Sequence, residues 1–336
     1  MKILCKQDNG KFYRKLSAFG KIFSDVGHEF VFWNNENKSS FDAFYEQKPD
    51  IFIAATSSID ESLIKCIKKY SETKIILVGS FIYRDIKHKK FATDKEIELI
   101  KKLKEETGKP DILIGNCTEK TIFCIKEWEK IGCKILASPS AADLYTSIYP
   151  KKDEKFISDI NFVGNFTDYN SKNLENILYP LINDPNLSVK IFGRKEWPII
   201  NYLGFINNNF LKNVICSAKI CPVISSLHTQ EFGFDCPQFL FDVLSSHGFA
   251  ACDFSEDANF LLKDYVVFAK NTQDQLEYIY DYLNKDDQRV EISNNAYNFI
   301  MNNHTYHHRL IDILKEIDLS EVATSVNDKL SKRRIA

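Results

Sequence analysis

Along the first 140 residues, short apolar runs alternate with amphipathic stretches. The runs "KILC" (2–5), "EFVFW" (29–33), "DIFIAAT" (50–56), "KIILVGS" (74–80), "DILIGNC" (111–117) and "KILASP" (134–139) read as strands. Between most of them the apolar period lengthens to that of a helix, at 11–27, 58–70, 94–107 and 118–131. In the first of these Phe12, Leu16, Phe19 and Phe23 fall on one face. Near-continuous Ile/Val/Leu strands alternating with helices predict a parallel sheet covered on both faces. Such sheets bind ligands at the carboxyl ends of their strands. The loops of interest are therefore 6–11, 56–60, 79–85, 115–120 and 138–143.

Pro150 and the charged run "KKDEK" (151–155) read as a linker, after which the pattern starts again. Strands are expected at 160–165, 188–194, 201–206, 219–225, 249–254 and 265–270. Helices are expected at about 171–182, after Pro237, and at 272–284, 286–303 and 305–317. A chain of 336 residues is long for a single core. The fold class predicted is α/β, with two Rossmann-like doubly wound domains facing a cleft. The expected division is 1–150, 151–303 and a C-terminal helical segment 304–336.

Composition changes this picture little. Hydrophobic residues make up 44% and charged residues 27%, as in ordinary globular chains, and the net charge is −2. Nothing in that balance argues for a nucleic-acid partner. The nine cysteines form no C-x-x-C pair, so a zinc site is not expected. They sit in or beside expected strands as small apolar residues, which fits a reducing, cytoplasmic location. "MKILCKQDNGKFY" reads as a strand and a polar loop rather than a signal peptide. The basic "KLSKRR" (329–334) reads first as a solvated terminus and, more sharply, as a weak contact with an anionic membrane surface.

Three glycine turns in the second half could carry chemistry: Gly164 with Asn165, Gly193 with Arg194 and Lys195, and the Gly233–Pro237 segment. Glycine lets backbone approach a ligand closely, and a following helix offers unpaired N–H groups to an anion. With Arg194 and Lys195 alongside, a phosphate-bearing ligand is the functional reading, against the plain reading of three ordinary turns. No G-x-G-x-x-G follows the first strand and no Walker sequence occurs, so simple dehydrogenase and P-loop readings fall away. Pro237 suits a first helical turn capped by Asp235 or Cys236. Leu240, Val243, Leu244 and His247 share one face, taken as the core side. Gln238, Asp242 and Ser245 share another. Asp242 is then either a solvated carboxylate near a helix start or an acceptor for both hydroxyls of a ribose. His247, before Gly248, reads as a cation at the helix end. "HTYHHR" (304–309) reads as packing and capping, with metal binding the lesser alternative. No Ser-His-Asp set is legible.

The order "DINFVGN … VKIFGR … YLGFI … NVICSAKICPVIS … CPQFLFDVLSSHGFAACDF … NAYNFIMNNHTYHHRL" resembles the CgeB-like (spore maturation protein) glycosyltransferases of the GT-B superfamily over about residues 138–315. The resemblance implies a nucleotide-diphosphate sugar as donor substrate, with no further cofactor and no metal. The donor would be held by the C-terminal domain. It places the family's ribose-binding acid, usually Glu, at Asp242, and its glycine turns at Gly164 and Gly193. Cys236, Pro237 and Gln238 belong to the same expected donor segment, with Asp235 and His247 at its borders. The chain departs from the family at Phe239 and near Asn170, where members carry arginines. Arg194, Lys195 or Lys219 are the cations that could replace them. A retaining transferase acting on a glycan, protein or small-molecule acceptor is the leading expectation. A non-catalytic sugar- or partner-binding protein and a nucleotide-sugar epimerase are the alternatives.

Overall fold

In the computed structural model, the structure describes residues 1–6, 13–33, 39–79, 91–146, 150–166, 171–225 and 236–335. The chain folds as two compact units: Met1–Pro139 together with Tyr306–Ala336, and Ser140–Thr305. Residues 140–146, expected with the first domain, lie in the second unit. There the Ala142 N–H donates to the His304 carbonyl at 2.9 Å and ties the two ends of that unit together.

Unit 1 runs β1 (Lys2–Lys6), α1 (Tyr13–Asp25), β2 (Glu29–Trp33), α2 (Ser40–Gln47), β3 (Ile51–Ala55), α3 (Glu61–Lys69), β4 (Lys74–Gly79), α4 (Asp94–Thr107), β5 (Ile112–Gly115), α5 (Lys126–Lys130) and β6 (Ile135–Ala137). The six strands are parallel in the order β2-β1-β3-β4-β5-β6. All five residues of β3 are buried, as a strand covered on both faces must be. Phe44, Phe52 and Trp128 fill one side of the sheet. Helix α2 is the one element here that the hydrophobic pattern did not announce. The Ser39 side chain accepts from the Asp42 N–H and starts it, and it ends after eight residues at Lys48 in the left-handed conformation.

Unit 2 runs β7 (Ser158–Val163), α6 (Ser171–Ile182), β8 (Val189–Phe192), α7 (Leu211–Cys216), β9 (Ala218–Val223), α8 (Gln238–Leu244), β10 (Ala250–Asp253), α9 (Glu256–Leu262), β11 (Val267–Ala269), α10 (Thr272–Leu283) and α11 (Asp286–Asn303). Its strands are parallel in the order β11-β10-β9-β7-β8. Tyr202 bridges to Ile191, so the "NYLGFI" segment extends this sheet beside β8. The last two helices, α12 (Tyr306–Glu316) and α13 (Ser320–Ile335), return to unit 1. Tyr306 meets Phe19 edge-on at 6.1 Å between ring centroids. Ala323, Val326 and Leu330 are buried, and Arg333 pairs with Asp25 at 2.5 Å. The basic end of the chain is thus a docked helix rather than a solvated tail. Among the described residues no helix is long and apolar enough to cross a membrane.

Both units share one strand order. Counted from its own first strand, each reads second-first-third-fourth-fifth, and unit 1 adds a sixth strand after the fifth. The order reverses between β1 and β3 in unit 1 and between β7 and β9 in unit 2. Ligands of open α/β sheets sit in the crevice at that reversal, beyond the carboxyl ends of the strands.

Candidate functional site

At the carboxyl edge of unit 2, the turns after β7 and β8 touch. A β-carbon on Gly193 would lie 2.2 Å from the Gly164 carbonyl oxygen, so no side chain fits there. The Asn165 carboxamide oxygen accepts from the N–H groups of Arg194 (2.7 Å) and Lys195 (3.2 Å). Trp197 Nε1 donates to the Gly164 carbonyl at 3.2 Å, and the Tyr202 hydroxyl donates to the Gly193 carbonyl at 3.0 Å. Asn165 therefore builds the turn rather than reaching out of it. The turn holds Arg194 and Lys195 in solvent, and neither side chain has a hydrogen bond or ion pair among the described residues. The Arg194 guanidinium lies over the Phe205 ring, 5.8 Å from its centroid. A tight turn presenting two unspent cations beyond a sheet's carboxyl edge suits a diphosphate.

The second part of the edge is α8. It is only seven residues long, and Pro237 is its N-cap rather than its first-turn residue. Cys236 is buried, and Asp235 lies outside the described residues, as do Gly233 and Asn170. The expectation of one core face and one solvated face fails. Leu240 through Ser246 are all buried, Asp242 at 4% exposure among them. The helix is sandwiched because α7 and α11 both pack on it, through Leu211, Ile215, Ala296 and Ile300. A buried carboxylate must be hydrogen-bonded or paired. Gln238 Nε2 donates to Asp242 Oδ1 at 3.3 Å and to the Ala141 carbonyl at 2.9 Å, linking Asp242 to the 140–143 segment. Ser246 Oγ donates to the Asp242 carbonyl at 2.6 Å.

Two residues that the sequence reading did not single out join this group. Lys212, in α7, is 5% exposed and Asp143 is 9% exposed. Burial pulls the Lys212 ammonium below its ordinary range, and the Asp242 and Asp143 carboxylates partly restore it. The Asp143 carboxylate also accepts from the Tyr145 N–H at 2.8 Å. A lone lysine inside the apolar "FLKNVIC" was the available signal for Lys212, and the 138–143 loop for Asp143. Beside them, Ser225 donates to Asp253 through its N–H (2.7 Å) and its hydroxyl (2.8 Å), clamping the exits of β9 and β10.

His247 and Lys219 do not join this site. The chain reverses after α8 with His247 itself in the left-handed region, at φ 54. That conformation costs roughly 1 kcal/mol for a residue with a β-carbon. Glycine follows for space: a β-carbon on Gly248 would meet Ile215 at 2.6 Å. The turn carries His247 out of the core face assigned to it and to the amino ends of the strands. There its ring stacks on Tyr297 at 3.7 Å. Lys219, second in β9, faces the same amino edge and pairs with Asp159 at 2.7 Å. It cannot serve a ligand at the opposite ends of the strands. Phe239, where the family resemblance expects an arginine, meets Phe162 edge-on at 6.4 Å and adds apolar packing.

Unit 1 has its own carboxyl-edge chemistry. Lys6, at the end of β1, is 6% exposed; its ammonium donates to the Ser58 carbonyl at 2.8 Å and sits 5.0 Å from the Trp33 ring centroid. Lys15 donates to Asn116 Oδ1 at 2.8 Å and to the Ser138 carbonyl. Of the expected loops 6–11 and 79–85, residues 7–11 and 80–85 lie outside the described residues. None of the nine cysteines is in a disulfide, and all are buried. Burial pushes the Cys133 thiol up to about 11 and that of Cys221 higher still, which removes them as nucleophiles at neutral pH. Among the described residues no three His, Cys, Asp or Glu side chains converge as metal ligands. "HTYHHR" splits between the units: His304 closes α11, and Arg309 donates to the Pro139 carbonyl at 3.2 Å.

Residues 172–315 match the family model described as glycosyl transferase-like. Anabaena HepE, solved with UDP and glucose, superposes with a TM-score of 0.61 over 99% of this chain and all of its own, at 9% identity. Sucrose-phosphate synthase from Thermosynechococcus elongatus gives 0.66 over 94% of this chain and 98% of its own, also at 9%. An alpha-glucosyltransferase solved with UDP and a 13-mer DNA gives 0.62 over 95% and 99%, at 12%. No curated protein sequence matched. The likeness in structure extends over both units and carries the GT-B fold, and the family match falls on the unit that holds Arg194, Lys212 and Asp242. The chain thus has the GT-B fold, and its segment 172–315 matches the glycosyl transferase-like family model.

Proposed function

We propose that unit 2 binds a UDP-sugar and that the enzyme passes the sugar to an acceptor held by unit 1. Transfer would retain the anomeric configuration and need no metal ion, as the CgeB-like resemblance implies, and the cysteine usage points to the cytoplasm. The observation that carries this reading is the carboxyl edge of unit 2, where a glycine turn offers two unspent cations and a buried carboxylate stands on α8. Solved structures of the same fold contain UDP or UDP-glucose, which supports uracil as the base.

The division of labour follows from the chemistry. As the glycosidic bond breaks, positive charge grows on the sugar and negative charge on the departing diphosphate. Arg194 and Lys195 would stabilise that diphosphate, replacing the arginines absent at Phe239 and Asn170. Asp242 would accept the ribose hydroxyls. Gln238 and the Lys212 charge would hold its carboxylate in place.

The test is a melting series with UDP, GDP, dTDP, CDP and ADP. A ligand at 100 times its Kd adds about 2.7 kcal/mol, a shift of several degrees. UDP is the expected responder. Arg194→Ala should weaken it about tenfold, roughly 1.4 kcal/mol, without lowering the melting point of the unliganded protein. Asp242→Asn should abolish the response. Silence from every nucleotide would sink the donor assignment. A response that survives both substitutions would move the site elsewhere.

A further inference from the structure

The amino ends of the unit 2 strands frame an open cavity of about 460 Å³, on the opposite edge of the sheet from the proposed donor site. Ser158, Ser188, Ala218 and Phe249 mark the starts of β7, β8, β9 and β10 around it. Its volume is that of a small-molecule site. We propose that this cavity binds a sugar phosphate, as a second site independent of the donor.

Counting donors and acceptors selects that class. The cavity's carboxylate, Asp159, is already spoken for. Its Oδ2 accepts from the Ser188 N–H (2.9 Å) and hydroxyl (2.8 Å), and its Oδ1 from Lys219 (2.7 Å). Arg289 is likewise consumed, by the Tyr282 and Leu283 carbonyls and by Asp286. What remains unspent is mostly donor. Lys219 keeps two further N–H groups, and Lys152 makes no hydrogen bond or ion pair among the described residues. His247 Nδ1 donates to Asn294 Oδ1 at 3.0 Å, which leaves its Nε2 and the Asn294 amide hydrogens for a ligand. Two ammonium groups suit a phosphate. The amide, the imidazole and the apolar flank of Phe249, Ile157 and Val290 suit a compact hydroxylated ring.

The experiment is calorimetric titration of the intact protein with glucose 6-phosphate, inorganic phosphate and glucose. A saturable site is expected for glucose 6-phosphate, a weaker one for inorganic phosphate, and none for glucose. Lys152→Gln combined with Lys219→Gln should weaken glucose 6-phosphate at least tenfold. His247→Asn, which tolerates the left-handed backbone, should weaken it several-fold with an unchanged melting temperature. This second variant keeps the test decisive should loss of the Asp159 partner destabilise the first. Binding should persist in saturating UDP and in Arg194→Ala. Absence of saturable binding at 10-fold millimolar excess overturns the proposal, as does binding that ignores the Lys152, Lys219 and His247 changes. Binding abolished by UDP or by Arg194→Ala would assign the phosphate to the donor site instead.

Discussion

The two switch points have the same topology and opposite chemistry. In unit 1 the reversal between β1 and β3 is spanned by a long cation: Lys6, nearly buried, reaches from one strand to the Ser58 carbonyl beyond the other. In unit 2 the exit of β7 is bare backbone, with Gly164 against Gly193 and the cations displaced outward to Arg194 and Lys195. A duplicated strand order therefore sets where a ligand can sit and leaves open what is recognised. A glycine turn admits a bulky diphosphate close to the main chain. In unit 1 the corresponding place is filled by a lysine whose ammonium is already bonded to main chain.

The harshest way to break the comparison is to place a side chain at the bare switch point. Gly193→Ala would drive its methyl into the Gly164 carbonyl, a backbone atom that cannot swing aside. A loss of about 3 kcal/mol is expected in denaturant unfolding. A loss below about 1 kcal/mol would show that the two turns are not locked together.

A smaller effect concerns Lys212, whose ammonium is held below its ordinary range by burial. In the pH window between its folded and unfolded values the unfolded chain binds the proton and the folded one does not. Stability must then rise with pH through that window, by at most about 1.4 kcal/mol per pH unit for one proton. Asp242→Asn removes a restoring charge and should move the start of the rise to lower pH. Unfolding titrations of both proteins, with Lys212→Met as the control that flattens the slope, measure it.

The mildest effect is expected at the occupied switch point. Lys6→Met keeps the aliphatic stem and gives up the bond to Ser58, costing about 1 kcal/mol. The UDP-induced melting shift should be unchanged if the two crevices bind different molecules. A lost shift would join them.

Much of this was legible in order of residues alone. Apolar runs located all eleven strands of the described residues, most plainly the central ones such as β3, because a strand buried on both faces reads as an unbroken apolar run. The glycine turns with Arg194 and Lys195 were readable for the same local reason, as turn chemistry sits in consecutive residues. Helix α2 was missed because eight residues carry too short a period to stand out. The face of α8 was misjudged because a helical wheel knows only its own residues. It could not register that α7 and α11 cover both flanks and bury Asp242, nor that a single left-handed residue sends His247 to the other edge of the sheet.

By itself, then, the sequence determined two parallel α/β layers, their strand positions and the places where backbone could approach a ligand. Those properties depend on periodicity and on neighbours along the chain. Only the tertiary structure decided which charged groups meet. Lys212, Asp143 and Asp242 come from three separate segments, and Lys219 and Arg194 were set on opposite edges of one sheet. Charges interact through space, and the low-dielectric surroundings that make such meetings count exist only after the core has closed.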